Sequence, residues 1–172
     1  MPVNKRRRAF LTAVVTAAAF VRHGMAQTEA ERLVAAMQDG GKIIYWRYPP
    51  TGGLDRAREV GRAMYAMRVP LNDIVASPAM QARRIAEIAF GEDRLRTAAE
   101  IGPLLRTIPG PGMNRVIVGD RSALEMAAER RFSDAVLPEA AMAVFLPGPA
   151  PHLLGTISAE RVIASAKARG AL

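Results

Sequence analysis

Cysteine is absent from the 172 residues. Its absence excludes disulfides, thiolate nucleophiles and every zinc site built on sulfur. Histidine is nearly absent: His23 and His152 stand alone, too few for a histidine-rich metal centre. No metal and no cofactor is expected. Aromatic residues make up only 5% and are not interleaved with a basic stripe, which argues against stacking on nucleic-acid bases. Acidic residues are missing from positions 1–26, and this distorts the overall charge of +8. Five of the 24 basic residues and none of the 16 acidic ones lie there, leaving 19 against 16, a net +3, for the rest. A charge of +8 would favour nucleic acid or an anionic membrane; +3 spread along a domain does not. A membrane-length apolar run is also missing. The longest, Ala9 to Val21, has 13 residues, whereas roughly 20 are needed to span a bilayer.

That short run belongs to a recognisable layout. "NKRRRAFLTAVVTAAAFVRHGMAQ" has a basic start, an apolar middle and a small-residue exit at Gly24-Met25-Ala26. This is the pattern of a signal peptide, with cleavage expected after Ala26. Arg7-Arg8-Ala9-Phe10-Leu11 resembles the twin-arginine export motif, and the modestly apolar, Ala- and Thr-rich core fits that route. The expected division is a signal peptide over 1–26 and one domain over 27–172, exported to the periplasm and not inserted in the membrane after cleavage. The competing reading is a basic helix that stays on the protein.

Strand and helix signals alternate through 27–172. Thr28 and Glu31 form a capping box, Leu33, Val34 and Met37 recur at helical spacing, and Gly40-Gly41 ends the helix. Ile43 to Trp46 predicts a strand, and 54–67 a helix with Val60, Ala63, Met64 and Met67 on one face. Residues 73–76 predict a brief strand. Ser77-Pro78 opens a helix to Phe90, with Ser77 as its cap. The stretch 94–107 reads as helix, "PGPG" at 109–112 as loop and "RVIVG" at 115–119 as a strand covered on both faces. Ser122 and Glu125 form a capping box for a helix over 123–130. Residues 142–146 and 152–157 predict an antiparallel hairpin, and Ser158 caps a last helix closed by Gly170. Met64, Met67, Met80 and Met113 are read as core filling rather than as an adaptable surface.

Such alternation predicts an α/β three-layer sandwich: a mainly parallel sheet with helices on both faces. Ligands bind outside the carboxyl ends of strands in these sheets. Arg47-Tyr48, Ala76-Ser77 and Gly119-Asp120 are therefore the candidate positions.

The segments "GGKIIYWRY", "REVGRAMYAMRVPLNDIVASPAMQARRIAEIAFG", "NRVIVGDRSALEMA" and "AAMAVFLPGP" follow one another in an order and spacing that resembles the histidine phosphatase (phosphoglycerate-mutase-like) superfamily. The resemblance is to its small exported bacterial members and covers nearly all of 27–172. It implies a phosphoglycerate-mutase-like fold and phosphoryl chemistry. In that family a first-strand Arg-His pair binds phosphate and attacks phosphorus, dividing one hard step into two. A second Arg in an S-P-x-x-R pattern and a second His at a later strand end help to hold the transferred group. A carboxyl group protonates the leaving oxygen.

Carried over position by position, the resemblance leaves most of that set unfilled. Arg47 matches the first Arg and is the candidate phosphate ligand. Tyr48 stands at the nucleophile position, Gln81 at the second-Arg position and Asp120 at the second-His position. No proton-donating carboxylate is assigned. A phenol with a reference pKa of about 10 is a poor nucleophile near pH 7. Gln81 brings no charge. Asp120 would set a carboxylate where a phosphate should sit; two unit charges about 4 Å apart interact by roughly 4 kcal/mol at an effective dielectric of 20. An Arg47–Asp120 ion pair closing the pocket is the simplest expectation. "VRHG" at 21–24 spells the family's phosphate-site signature but lies inside the signal segment, with no strand to deliver it.

The plainer roles are these. Asp120 caps the helix that follows, Tyr48 is a packed aromatic, Ser77 is a cap rather than a nucleophile, and His152 sits on an edge hairpin. Arg83 and Arg84 fall two and three places from the family's Arg register and are the weaker phosphate-binding candidates. Three functional expectations follow. The first is an exported phosphatase-fold protein, catalytically inactive, with a binding or structural role. The second is an active phosphomonoesterase with relocated residues, Arg47 binding phosphate. The third is a periplasmic protein-interaction module.

Overall fold

The computed structural model describes residues 29–49 and 53–172. Twelve elements follow in order: α1 (29–38), β1 (Ile43–Arg47), α2 (Leu54–Ala66), β2 (Leu71–Ala76), α3 (Met80–Phe90), β3 (Leu95–Thr97), α4 (Gly102–Arg106), β4 (Asn114–Gly119), α5 (Arg121–Ala128), β5 (Met142–Leu146), β6 (His152–Ile157) and α6 (Ala159–Ala168). The six strands form one sheet in the order β3-β2-β4-β1-β5-β6. Its first four strands run parallel, and β5 and β6 are antiparallel to their neighbours. The expected mainly parallel sheet is present.

The period of two along each central strand builds two cores. Ile44 and Trp46 of β1, Val116 and Val118 of β4, and Met142 and Val144 of β5 face the layer of α1, α2, α3 and α6. Ile43 and Tyr45, Ile117, and Ala143 and Phe145 face α4, α5 and the 129–141 segment. A strand buried on both faces has no polar side to show, which is why Ile43–Trp46 of β1 and Val116–Val118 of β4 read as apolar runs. The helices contribute narrow stripes: Leu33, Val34 and Met37 from α1, and Ala57, Val60, Ala63 and Met64 from α2, are buried. Gly61 lets α2 approach α3 closely, since a Cβ there would meet the backbone carbonyl of Ala89.

Three expectations are corrected here. The 94–107 stretch is not one helix. Leu95–Thr97 joins the sheet as the edge strand β3, and only Gly102–Arg106 is helical. Gly102 and Pro103 allow the helix to start there but not earlier. Second, Ser77 does not cap α3: the N-cap is Ala79, with no side-chain bond. The Ser77 hydroxyl is instead buried without a hydrogen-bond partner. The Thr28 half of the first capping box and the whole of 1–26 lie outside the described residues. Of the four methionines read as core filling, Met64 and Met67 are buried, but Met80 is 85% exposed.

A partly buried ionic cluster fixes the sheet to α4. Arg115 of β4 donates to Asp73 Oδ2 at 2.5 Å and to the carbonyls of Leu104 and Thr107. Arg96 of β3 donates to both oxygens of the same carboxylate, at 2.8 and 2.9 Å. Burial works to raise the Asp73 pKa, but the bonds from Arg96 and Arg115 outweigh it and hold the carboxyl below its ordinary range. A register shift in β2 between Leu71 and Asp73 places Asp73 opposite Arg115.

Candidate functional site

Two crossing connections frame a crevice at the carboxyl ends of β1 and β4. From β1 the chain crosses through α2 to β2, on one side of β4. From β4 it passes through α5 to β5, on the other side of β1. Because α2 packs on one face of the sheet and α5 on the other, the connections leaving the adjacent ends of β1 and β4 part to opposite faces, which is where ligands bind in open α/β sheets. Arg47 is paired in register with Gly119 across these two strands. An open cleft of about 340 Å³ lies there, lined by Arg47, Tyr48, Asp120, Arg121, Ser122, Glu125 and Glu139.

Arg47 is the last residue of β1, and its side chain is only 15% exposed. It donates to Asp134 Oδ1 at 2.7 Å and to the carbonyl of Leu137 at 2.7 Å, and Glu139 stands 3.9 Å away. The expected Arg47–Asp120 pair is not formed. Both residues line the cleft, but Asp120 turns to its own helix. It caps α5, accepting from Ala123 N at 2.8 Å and from the Ser122 hydroxyl at 2.5 Å. The physical reason is local geometry: a carboxylate at an N-cap reaches unsatisfied N–H groups within its own turn. Burial acts to raise the Asp120 pKa, but these hydrogen bonds prevail and lower it. Of the two capping expectations, Asp120 is the cap found; the Ser122–Glu125 box is not formed, and Glu125 accepts from Phe132 N instead.

Arg47 is neutralised all the same, by a residue with no sequence signal. Asp134 lies in the irregular 129–141 segment, and its Oδ1 also accepts from Arg121 at 2.7 Å. The two guanidinium groups hold its carboxyl below the ordinary range. Arg121, the first residue of α5, was likewise not singled out by its pattern.

Tyr48 follows the strand end. Its N–H donates to the Gly119 carbonyl at 3.2 Å, and its ring packs against the larger core. Gln81, on α3, donates to the Pro49 carbonyl at 2.5 Å, tying the helix to the loop after β1. Arg83 and Arg84 are on the exposed face of the same helix and are not among the cleft's lining residues. His152 is exposed at the start of the sheet's edge strand β6. "VRHG" at 21–24 lies outside the described residues.

Beneath the cleft, Tyr45 is fully buried and donates to the Asp120 carbonyl at 2.7 Å. Burial pushes its phenol up, with Asp120 and Tyr48 adding to the effect, so it stays neutral. Trp46, on the opposite face, donates to the Ala140 carbonyl at 3.1 Å. Arg47 N–H donates to the Ala141 carbonyl at 3.0 Å. The strand tip and the 129–141 segment are thus joined by backbone and side chain together. Counting Asp134, the cleft brings two arginines against four carboxylates. The hydroxyl side chains that line it are Tyr48 and Ser122. No group of three or more His, Asp or Glu among the described residues could hold a metal.

No protein-family model matches the sequence, and no curated protein does. Solved structures similar in fold include three phosphoryl-transfer proteins. A structure assigned as the phosphohistidine phosphatase SixA of Agrobacterium tumefaciens is 13% identical, with a TM-score of 0.46, over 69% of this chain and 97% of that one. A phosphoserine phosphatase mutant of Entamoeba histolytica, in complex with phosphoserine, is 12% identical at 0.47, over 70% and 98%. The phosphoglycerate mutase of Plasmodium falciparum is 14% identical at 0.45, over 65% and 87%. The likeness is one of fold and assigns no residue a role.

Proposed function

We propose that this chain is a phosphatase-fold protein without phosphoryl-transfer machinery, whose strand-end cleft serves binding. One observation carries this reading: Arg47, the candidate phosphate ligand, is already held by Asp134 and the Leu137 carbonyl. The surroundings support it. Asp120, Glu125 and Glu139 line the same cleft, and each would repel an arriving phosphate. Arg83 and Arg84, which an active enzyme with relocated residues would need, do not line it. The test is turnover of a chromogenic phosphomonoester by purified residues 27–172, with none expected. Turnover that Arg47→Ala abolishes, or a phosphoryl group trapped on Tyr48, would overturn the reading.

We further propose export through the twin-arginine route. Arg7-Arg8 ahead of an apolar run of 13 residues supports it. No helix of the described residues is long and apolar enough to cross a membrane. Fractionation of cells making the full chain is expected to find a mature form beginning at Gln27 in the periplasm. Replacing Arg7 and Arg8 by Lys is expected to retain it in the cytoplasm; unaltered export of that variant rejects this route.

A further inference from the structure

Asp134 does more than neutralise Arg47. A single oxygen, Oδ1, lies 2.7 Å from Nη1 of Arg47 and 2.7 Å from Nη1 of Arg121. Two guanidinium groups that converge on one point repel each other unless an anion stands between them. One of the two is fixed: Arg47 is only 15% exposed and is anchored to the Leu137 carbonyl. The anion is not. Asp134 is 70% exposed, on a segment without helix or strand. An exposed ion pair of this kind is held weakly, and a side-chain rotation exchanges it.

We propose that Asp134 is a built-in occupant of a two-arginine carboxylate site, and that a carboxylate from outside the chain replaces it when it swings out. The site's own chemistry selects the ligand class. Arginine pairs bind planar carboxylates through directed N–H groups. Asp120, Glu125 and Glu139 already bring three negative charges to the cleft. Exchanging one carboxylate for another leaves the charge balance unchanged, whereas a phosphate dianion adds a further negative charge. The preference is therefore for a singly charged carboxylate over phosphate. This inference rests on the reading of the cleft as a binding site and deepens it.

The test uses residues 27–172 as wild type, Asp134→Ala and Asp134→Asn, titrated with acetate and with inorganic phosphate. Binding is read by NMR shifts of the arginine side-chain N–H groups. Both variants are expected to bind acetate at least tenfold more tightly than the wild type, and phosphate no more tightly than acetate. Adding Arg121→Ala to the Asp134→Ala chain is expected to remove the gain. Thermal melts check that each variant folds, and Asp134→Asn carries the test should the alanine variant fail. A blocked peptide with one acidic side chain separates the sources. Tighter binding than acetate assigns the carboxylate to a protein, equal binding to a small molecule, and either upholds the site. Equal acetate affinity in all chains, or phosphate bound in preference, overturns it. Phosphomonoester turnover by the wild type would sink the non-catalytic reading by a separate measurement.

Discussion

The hydroxyl of Tyr45 occupies the space directly over Gly119, so that a Cβ at 119 would run into it. Both residues are buried, on adjacent strands beneath the cleft. The hydroxyl is also bonded to the carbonyl of Asp120, so it cannot yield without losing a partner. Gly119→Ala is expected to cost about 1–3 kcal/mol, the usual penalty for overpacking a filled core. Tyr45→Phe removes the obstructing oxygen, and the double variant should lose less than the sum of the two single losses. Urea unfolding of the four proteins measures the coupling, and strict additivity would show that the two groups do not compete for space.

Asp73 is the anion between Arg96 and Arg115. Asp73→Ala strands Arg115, which is buried and keeps only carbonyl partners. A loss of roughly 3 kcal/mol is expected, as for breaking one side of a buried pair. Asp73→Asn should lose less. A denaturant midpoint within experimental error of the wild type would show that water replaces the carboxylate.

Acid should weaken the fold through a defined set of groups. Asp73 and Asp120 have folded pKa values below their unfolded ones. Their contribution is complete above the unfolded value and is lost as pH falls below about 4 and through the depressed folded values. Melting temperature followed from pH 6 to pH 2 is expected to fall with a shallower slope in Asp73→Asn. Identical slopes in the two proteins would remove Asp73 from that set.

Ser77 gives the opposite kind of prediction. Its hydroxyl is buried without a partner, so it bears a desolvation cost and returns no bond. Ser77→Ala should be neutral, or stabilising by up to about 1 kcal/mol. A destabilisation larger than that would mean the hydroxyl is engaged after all.

Most of the architecture was legible because it follows from period and punctuation. Strands β1 and β4 are short apolar runs between glycine- or proline-containing stretches, and the stripes of α1 and α2 recur at helical spacing. The hairpin of β5 and β6 encloses its own turn. β3 was not legible: "LRT" has three residues, no alternation and polar neighbours. It is a strand because β2 offers it an edge and Asp73 holds its arginine. The cleft divided in the same way. Arg47 and Asp120 were found as strand ends, and both line it. Their mutual pairing was not formed, because an N-cap a few bonds away outcompetes an arginine across the sheet. Asp134 could not have been found, since an irregular segment carries no period to say where its side chains meet.

The central place of β1 has a consequence in time. The strand that ends in Arg47 is among the first parts of the domain to be synthesised. Its neighbours are β4 at Asn114–Gly119 and β5 at Met142–Leu146. Every rung on both sides of β1 therefore waits for chain about 70 to 100 residues downstream. Such pairings close large loops before they repay the entropy, and chains built on them fold slowly. A ribosome-bound chain stopped ahead of residue 142 leaves one full edge of β1 bare. The strand that is made early is completed late, and the cleft at its tip is among the last parts of the molecule to exist.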